Sequence, residues 1–152
     1  MPARLLIVHH TVSPATEAML RSVVSGAEAD GISGVEVVVR PALSATASDV
    51  LAAGAVALGT PANIGYISGA LKHFFDQIYY PVRDATAGLG FGLFLHSNED
   101  ATGALRAVEA ITTGLGWRRQ IDDVIVKGTQ DQAALDACWE LGATLAAGVM
   151  PD

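Results

Sequence analysis

Thr11, Ser13 and Thr16 place three hydroxyls in one short segment, after the apolar run Leu5-Leu6-Ile7-Val8 and before a helical pattern. A helix N-terminus offers unpaired N–H groups and the positive end of its dipole, so Thr11-Val12-Ser13-Pro14-Ala15-Thr16 has the chemistry to hold a phosphate. The segment contains no Lys or Arg. A triphosphate calls for lysine, whereas a monophosphate is held by amides and hydroxyls alone. Pro14 withdraws one amide, leaving the N–H groups of Val12, Ser13, Ala15 and Thr16. An ordinary helix start, with Ser13 as N-cap and Pro14 at the first helical position, accounts for the same residues without a ligand.

A second stretch is Gly59-Thr60-Pro61-Ala62-Asn63-Ile64-Gly65-Tyr66-Ile67-Ser68-Gly69-Ala70-Leu71-Lys72-His73-Phe74-Phe75-Asp76. The run Ala55-Val56-Ala57-Leu58 stops at Gly59, and small and polar residues lead into a helix with Leu71, Phe74, Phe75 and Ile78 on one side. Pro61 is expected to bend the chain out of the sheet, and Gly65 to let backbone approach a flat ligand. His96-Ser97-Asn98-Glu99-Asp100 forms a third polar loop, whose acids are expected to cap the next helix. His9, His10 and His96 all fall at strand ends. A metal held with Glu99 or Asp100 is one reading. Adjacent residues of an extended chain point to opposite faces, so His9 and His10 do not ligate together and no metal is expected. A histidine hydrogen-bonding a ligand is the preferred reading, His96 first.

The loop G-T-P-x-x-x-G leading into S-G-x-[LM]-K-x-F-[FL]-D resembles the flavin loop of the flavodoxin-like NAD(P)H-dependent FMN reductases and quinone reductases, including the tryptophan-repressor-binding-protein group. Thr11–Thr16 resembles the flavodoxin phosphate signature [ST]-x-[ST]-G-x-T, with Pro14 where glycine is usual. The resemblance implies FMN bound without covalent attachment, its phosphate on Thr11, Val12, Ser13, Ala15 and Thr16. Its ring would lie on Thr60, Pro61, Ala62, Asn63, Ile64 and Gly65, with His96, Ser97 and Asn98 from the third loop. Ile64 and Tyr66 are candidates to cover one ring face; packing of Tyr66 at a helix start is the equal alternative. NAD(P)H is implied as co-substrate, and a quinone or a flavin as acceptor. No side chain is required as a general base, because hydride transfer depends on positioning. The alternatives are an electron carrier of the flavodoxin type and a non-catalytic binding module on the same fold.

The elements that would position these loops alternate. Strands are expected at Arg4–His9, Val35–Val39, Ala55–Leu58, Gly90–Leu95 and Asp123–Val126. Helices are expected at Ala15–Ala29, Ser44–Ala53 (capped by Ser48), a third ending at Tyr79 before Pro81, Thr102–Thr113 and Gln130–Ala147. This is the pattern of a doubly wound α/β fold: a five-stranded parallel sheet in the flavodoxin-like order 2-1-3-4-5, helices on both faces, and one domain over residues 1–152. Gly88-x-Gly90-x-Gly92 enters a strand rather than following one, so it is no dinucleotide fingerprint. Trp117-Arg118-Arg119 reads as a solvated turn, with docking of an NADPH phosphate a remote alternative.

Composition narrows the classes further. Half of the 152 residues are hydrophobic (51%), which excludes disorder. A net charge of −7 argues against nucleic acid as a partner. The single cysteine, Cys138, excludes an internal disulfide framework and sits in a helical apolar pattern as a core residue. No apolar run approaches a membrane span or a signal peptide, so membrane insertion is not expected and a cytoplasmic location is. A homodimer is compatible with these features.

Overall fold

The computed structural model describes residues 2–152. Along the chain the elements are β1 (Arg4–His9), α1 (Pro14–Ala27), β2 (Glu36–Pro41), α2 (Ala47–Leu51), β3 (Ala55–Asn63), β4 (Tyr66–Ile67), α3 (Gly69–Val82), β5 (Gly90–Ser97), α4 (Thr102–Leu115), β6 (Arg118–Arg119), β7 (Val124–Lys127) and α5 (Gln132–Gly148). The central sheet is parallel, in the order β2-β1-β3-β5, with β6 and β7 both on the outer side of β5. That is the expected 2-1-3-4-5 order, with the fifth position shared by two short strands.

The unbroken apolar run of β1 explains why it is central. Leu5, Leu6, Ile7 and Val8 are all fully buried, which requires cover on both faces. Successive side chains of a strand point to opposite faces. Leu5 and Ile7 therefore join Met19 and Val23 of α1 and Cys138, Leu141 and Leu145 of α5 in one core. Leu6 and Val8 join Val50 of α2, Leu71, Phe74 and Phe75 of α3, and Val108 of α4 in the other. Each fully buried aliphatic or aromatic side chain contributes about 1.5–3 kcal/mol against exposure.

The two helices α1 and α5 meet backbone to backbone. A Cβ on Gly26 would collide with the Trp139 carbonyl, and one on Gly142 with the Val23 carbonyl. Glycine at both contacts is what lets them approach.

Several local expectations are corrected. β3 does not end at Leu58 but runs on through Pro61, which pairs with His96 of β5. β1 ends opposite Gly59, so beyond that point β3 has no neighbour on that side. There a missing N–H costs no ladder bond. Pro81 likewise lies inside α3, in its last turn, where it forfeits one bond while Ile78 and Val82 remain fully buried. The cap of α2 is Thr46, not Ser48: Thr46 Oγ1 accepts from Asp49 N–H at 3.2 Å and Asp49 Oδ2 accepts from Thr46 N–H at 2.9 Å. This is a reciprocal capping box. The fifth strand is interrupted because Gly90 to Phe94 on β5 spans four steps while Arg118 to Val124 opposite spans six. The surplus residues bulge between β6 and β7.

Trp117 is buried, donating its indole N–H to Thr86 Oγ1 at 3.0 Å, rather than flanking a solvated turn. Arg119 is paired with Glu109 and Asp123, each at 2.9 Å, so its charge is already matched. Among the described residues no helix is long and apolar enough to cross a membrane.

Candidate functional site

A cleft of about 520 Å³ opens at the carboxyl ends of β1, β3, β5 and β7. Ligand sites of parallel α/β sheets lie outside those ends, where the loops leave the sheet. Four loops wall it. Val12, Ser13, Pro14 and Ala15 come from the β1–α1 loop, Pro61, Ala62 and Asn63 from the end of β3, and His96, Ser97 and Asn98 from the end of β5. Gly128, Thr129 and Gln130 follow β7.

Nine of the sequence-predicted residues thus line one cleft: Val12, Ser13, Ala15, Pro61, Ala62, Asn63, His96, Ser97 and Asn98. Thr11, Thr16 and Thr60 lie below it, around a much smaller enclosed space shared with His10 and His96. Ile64 and Gly65 stand apart, at the tip of the β3–β4 hairpin. Gly128–Gln130 were missed. The available signal was position: they follow the last strand and precede Asp131, whose side chain caps α5 by accepting from Ala134 N–H at 2.9 Å.

The β1–α1 loop is cross-linked to itself. Ser13 is the N-cap of α1 and forms a capping box with Thr16. Thr16 Oγ1 accepts from Val12 N–H at 3.2 Å and from Ser13 N–H at 3.1 Å, while Ser13 Oγ accepts from Thr16 N–H at 3.2 Å. Thr11 Oγ1 turns the other way, 2.8 Å from His9 Nδ1. The expected convergence of three hydroxyls on one anion is therefore absent. Burial, reinforced by neighbouring His10, pushes the His9 imidazole below its ordinary range.

The β3 end is held by Thr60. Its hydroxyl donates to the Pro61 carbonyl at 2.8 Å and accepts from Ser68 N–H at 3.2 Å, tying strand to helix start. Between them the chain makes a two-residue turn in which Ile64 (φ 51°) and Gly65 (φ 75°) are both left-handed. Such turns match the strand twist but suit Asn and Gly, not a β-branched residue. The Ile64 side chain is fully exposed, and Tyr66 is 43% exposed. The tip is seated on α4 at Gly103, where a Cβ would collide with the Gly65 carbonyl.

The β5 end is fixed by His96, whose Nε2 lies 2.6 Å from the Gly128 carbonyl. A carbonyl only accepts, so Nε2 carries the proton and Nδ1 is the nitrogen left for other partners. Ser97 Oγ donates to the Glu99 carbonyl at 2.9 Å, rigidifying the loop. Of the two acids expected to cap α4, Asp100 does so: its Oδ1 accepts from Thr102 N–H at 3.1 Å and from Thr102 Oγ1 at 2.7 Å. Those bonds hold its carboxyl below the usual range. The cleft is therefore lined by neutral amides, hydroxyls and small apolar groups, with no Lys, Arg, Asp or Glu and no aromatic ring other than the imidazole. Among the described residues no three His, Cys, Asp or Glu side chains gather as a metal site.

A second cavity, about 290 Å³, opens at the opposite, amino ends of β3 and β5, lined by Gly54, Gly90, Gln120 and Leu145 among others. It offers no titratable side chain.

No family model matches the chain. Over 75 residues it is 35% identical to a flavodoxin of Aquifex aeolicus (strain VF5). That match spans 49% of this chain and 40% of the relative, less than two thirds of its length. Among solved structures, a flavodoxin from the domain Archaea superposes with a TM-score of 0.80 at 20% identity, covering 96% of this chain and 98% of that one. A flavodoxin, WrbA-like protein from Agrobacterium tumefaciens superposes at 0.76 and 19% identity, with 97% of each chain covered. Chain order, sheet order and superposition agree: this chain has the flavodoxin-like fold.

Proposed function

We propose that the strand-end cleft binds a flavin of the FMN type without covalent attachment, and that the protein is an oxidoreductase passing hydride from NAD(P)H to a quinone or flavin acceptor. The observation that carries this reading is the cleft itself: nine residues picked from the flavin-loop resemblance line one space of about 520 Å³, of a size for a drug-like flat ligand. Its ring end fits. Ala62 and Asn63 offer backbone and amide groups to the polar edge of a ring, opposite Asn98 and Gln130, and Pro61 supplies an apolar edge. When bound, the flavin supplies the hydride chemistry; the protein supplies position and exclusion of water.

The absence of any Phe, Tyr or Trp among the lining residues favours an enzyme. With no aromatic side chain pressed on the ring, one face stays open for a nicotinamide to stack at about 3–3.5 Å. The second reading is an electron carrier between proteins. It is favoured by the net charge of −7, which suits docking to a basic partner, and by the flavodoxin relatives. Oxidation of NADH or NADPH by the flavin-loaded protein, with and without a benzoquinone, separates the two. Turnover of either nucleotide supports the enzyme. Reduction only through a partner reductase contradicts it in favour of the carrier.

A further inference from the structure

The end of the cleft formed by the β1–α1 loop has little left to offer an anion. Four amides were candidates for a phosphate: Val12, Ser13, Ala15 and Thr16. Three of them are used inside the loop, Val12 and Ser13 by Thr16 Oγ1 and Thr16 by Ser13 Oγ. Thr16 Oγ1 in turn donates to the Ser13 carbonyl at 3.0 Å. Pro14 has no N–H, so Ala15 carries the one donor of that set with no partner in the loop. Charge points the same way. No Lys or Arg lines the cleft. The first turn of α1 already carries a carboxylate, Glu17, paired with Arg21 at 2.6 Å. A phosphate arriving here would exchange bonds the loop already makes for new ones, and such an exchange yields little net free energy.

We infer that this cleft recognises the flavin ring and its neutral side chain and is indifferent to the terminal phosphate, so that riboflavin is bound as well as FMN. The inference rests on the flavin reading above. It makes the phosphate loop a structural clamp: the Ser13–Thr16 box fixes the start of α1, and the loop packs against the ligand through Val12, Pro14 and Ala15. The ring end, from Pro61 to Asn63 and from His96 to Asn98, then sets both affinity and selectivity.

Fluorescence titration of the whole protein with riboflavin and with FMN, in one buffer at neutral pH, tests this directly. Dissociation constants within about tenfold of each other are expected. FMN binding more than about tenfold tighter overturns the inference while leaving the flavin site standing. Binding of neither removes the flavin reading, and this inference with it. A Pro14→Gly variant restores the missing N–H and is expected to tighten FMN while leaving riboflavin unchanged. An equal change for both ligands would show that the loop does not discriminate through the phosphate.

Discussion

Ile64 is the residue that the local rules least explain. A β-branched side chain at φ 51°, fully exposed, gains nothing from burial to offset its backbone strain. The left-handed conformation costs about 1–2 kcal/mol for such a residue. Ile64→Gly should therefore raise stability by about 1 kcal/mol in urea unfolding. If it instead weakens flavin binding, Ile64 is a ring cover whose strain serves the ligand. Cys138 behaves oppositely, hidden and inert. Burial pushes its thiol up to about 11 from 9.0. In the folded protein the thiol stays protonated above pH 9.0, where the unfolded chain ionises. Its contribution to stability is thus complete below that pH and lost as pH rises towards about 11. Native protein should resist a thiol reagent at pH 8 for as long as it stays folded, and ready labelling without unfolding would contradict the burial. Residue types alone revealed the burial of Cys138, because its neighbours in the helix are apolar. They could not reveal that Thr16 bonds to its own loop, since a hydroxyl at that position serves a cap and an anion equally well.

At the scale of elements, α1 and α5 are joined by glycine rather than by side-chain interdigitation. Gly142→Ala places a methyl on the Val23 carbonyl and should cost about 1–3 kcal/mol as the helices separate. Gly148→Ala, in the last turn of the same helix with open space around it, should instead stabilise by up to about 1 kcal/mol. Thermal or urea melts of the pair give opposite signs if the helix contact is as described, and the same sign if it is not. The strands and helices were legible in the sequence wherever burial is two-sided, as in Leu5–Val8, or where the helical period is clean, as in Leu71–Ile78. Prolines misled in two places. Pro61 is tolerated because β1 has already ended, and Pro81 because burial of Val82 carries α3 past it. Both reasons are tertiary, and no local pattern contains them. The split of the fifth strand was hidden for a similar cause, since β6 is only Arg118–Arg119 and reads as a turn.

For the whole molecule, the sheet brings four strand-end loops to one place, and that convergence is what gives the cleft its chemistry. Three of those loops were found from sequence because they carry polar clusters after apolar runs. The fourth, Gly128–Gln130, carries no such cluster and enters through topology alone, with His96 holding it by the bond to the Gly128 carbonyl. The cavity at the other end of the sheet supplies an internal control. Titration of isotope-labelled protein with riboflavin, followed by amide chemical shifts, tests the central claim. The account predicts shifts at Val12, Ser13, Ala15, Ala62, Asn63, His96 to Asn98 and Gly128 to Gln130, with Gly54, Gly90 and Gln120 unmoved. Shifts confined to the Gly54–Gln120 end, or none at saturating ligand, would contradict it.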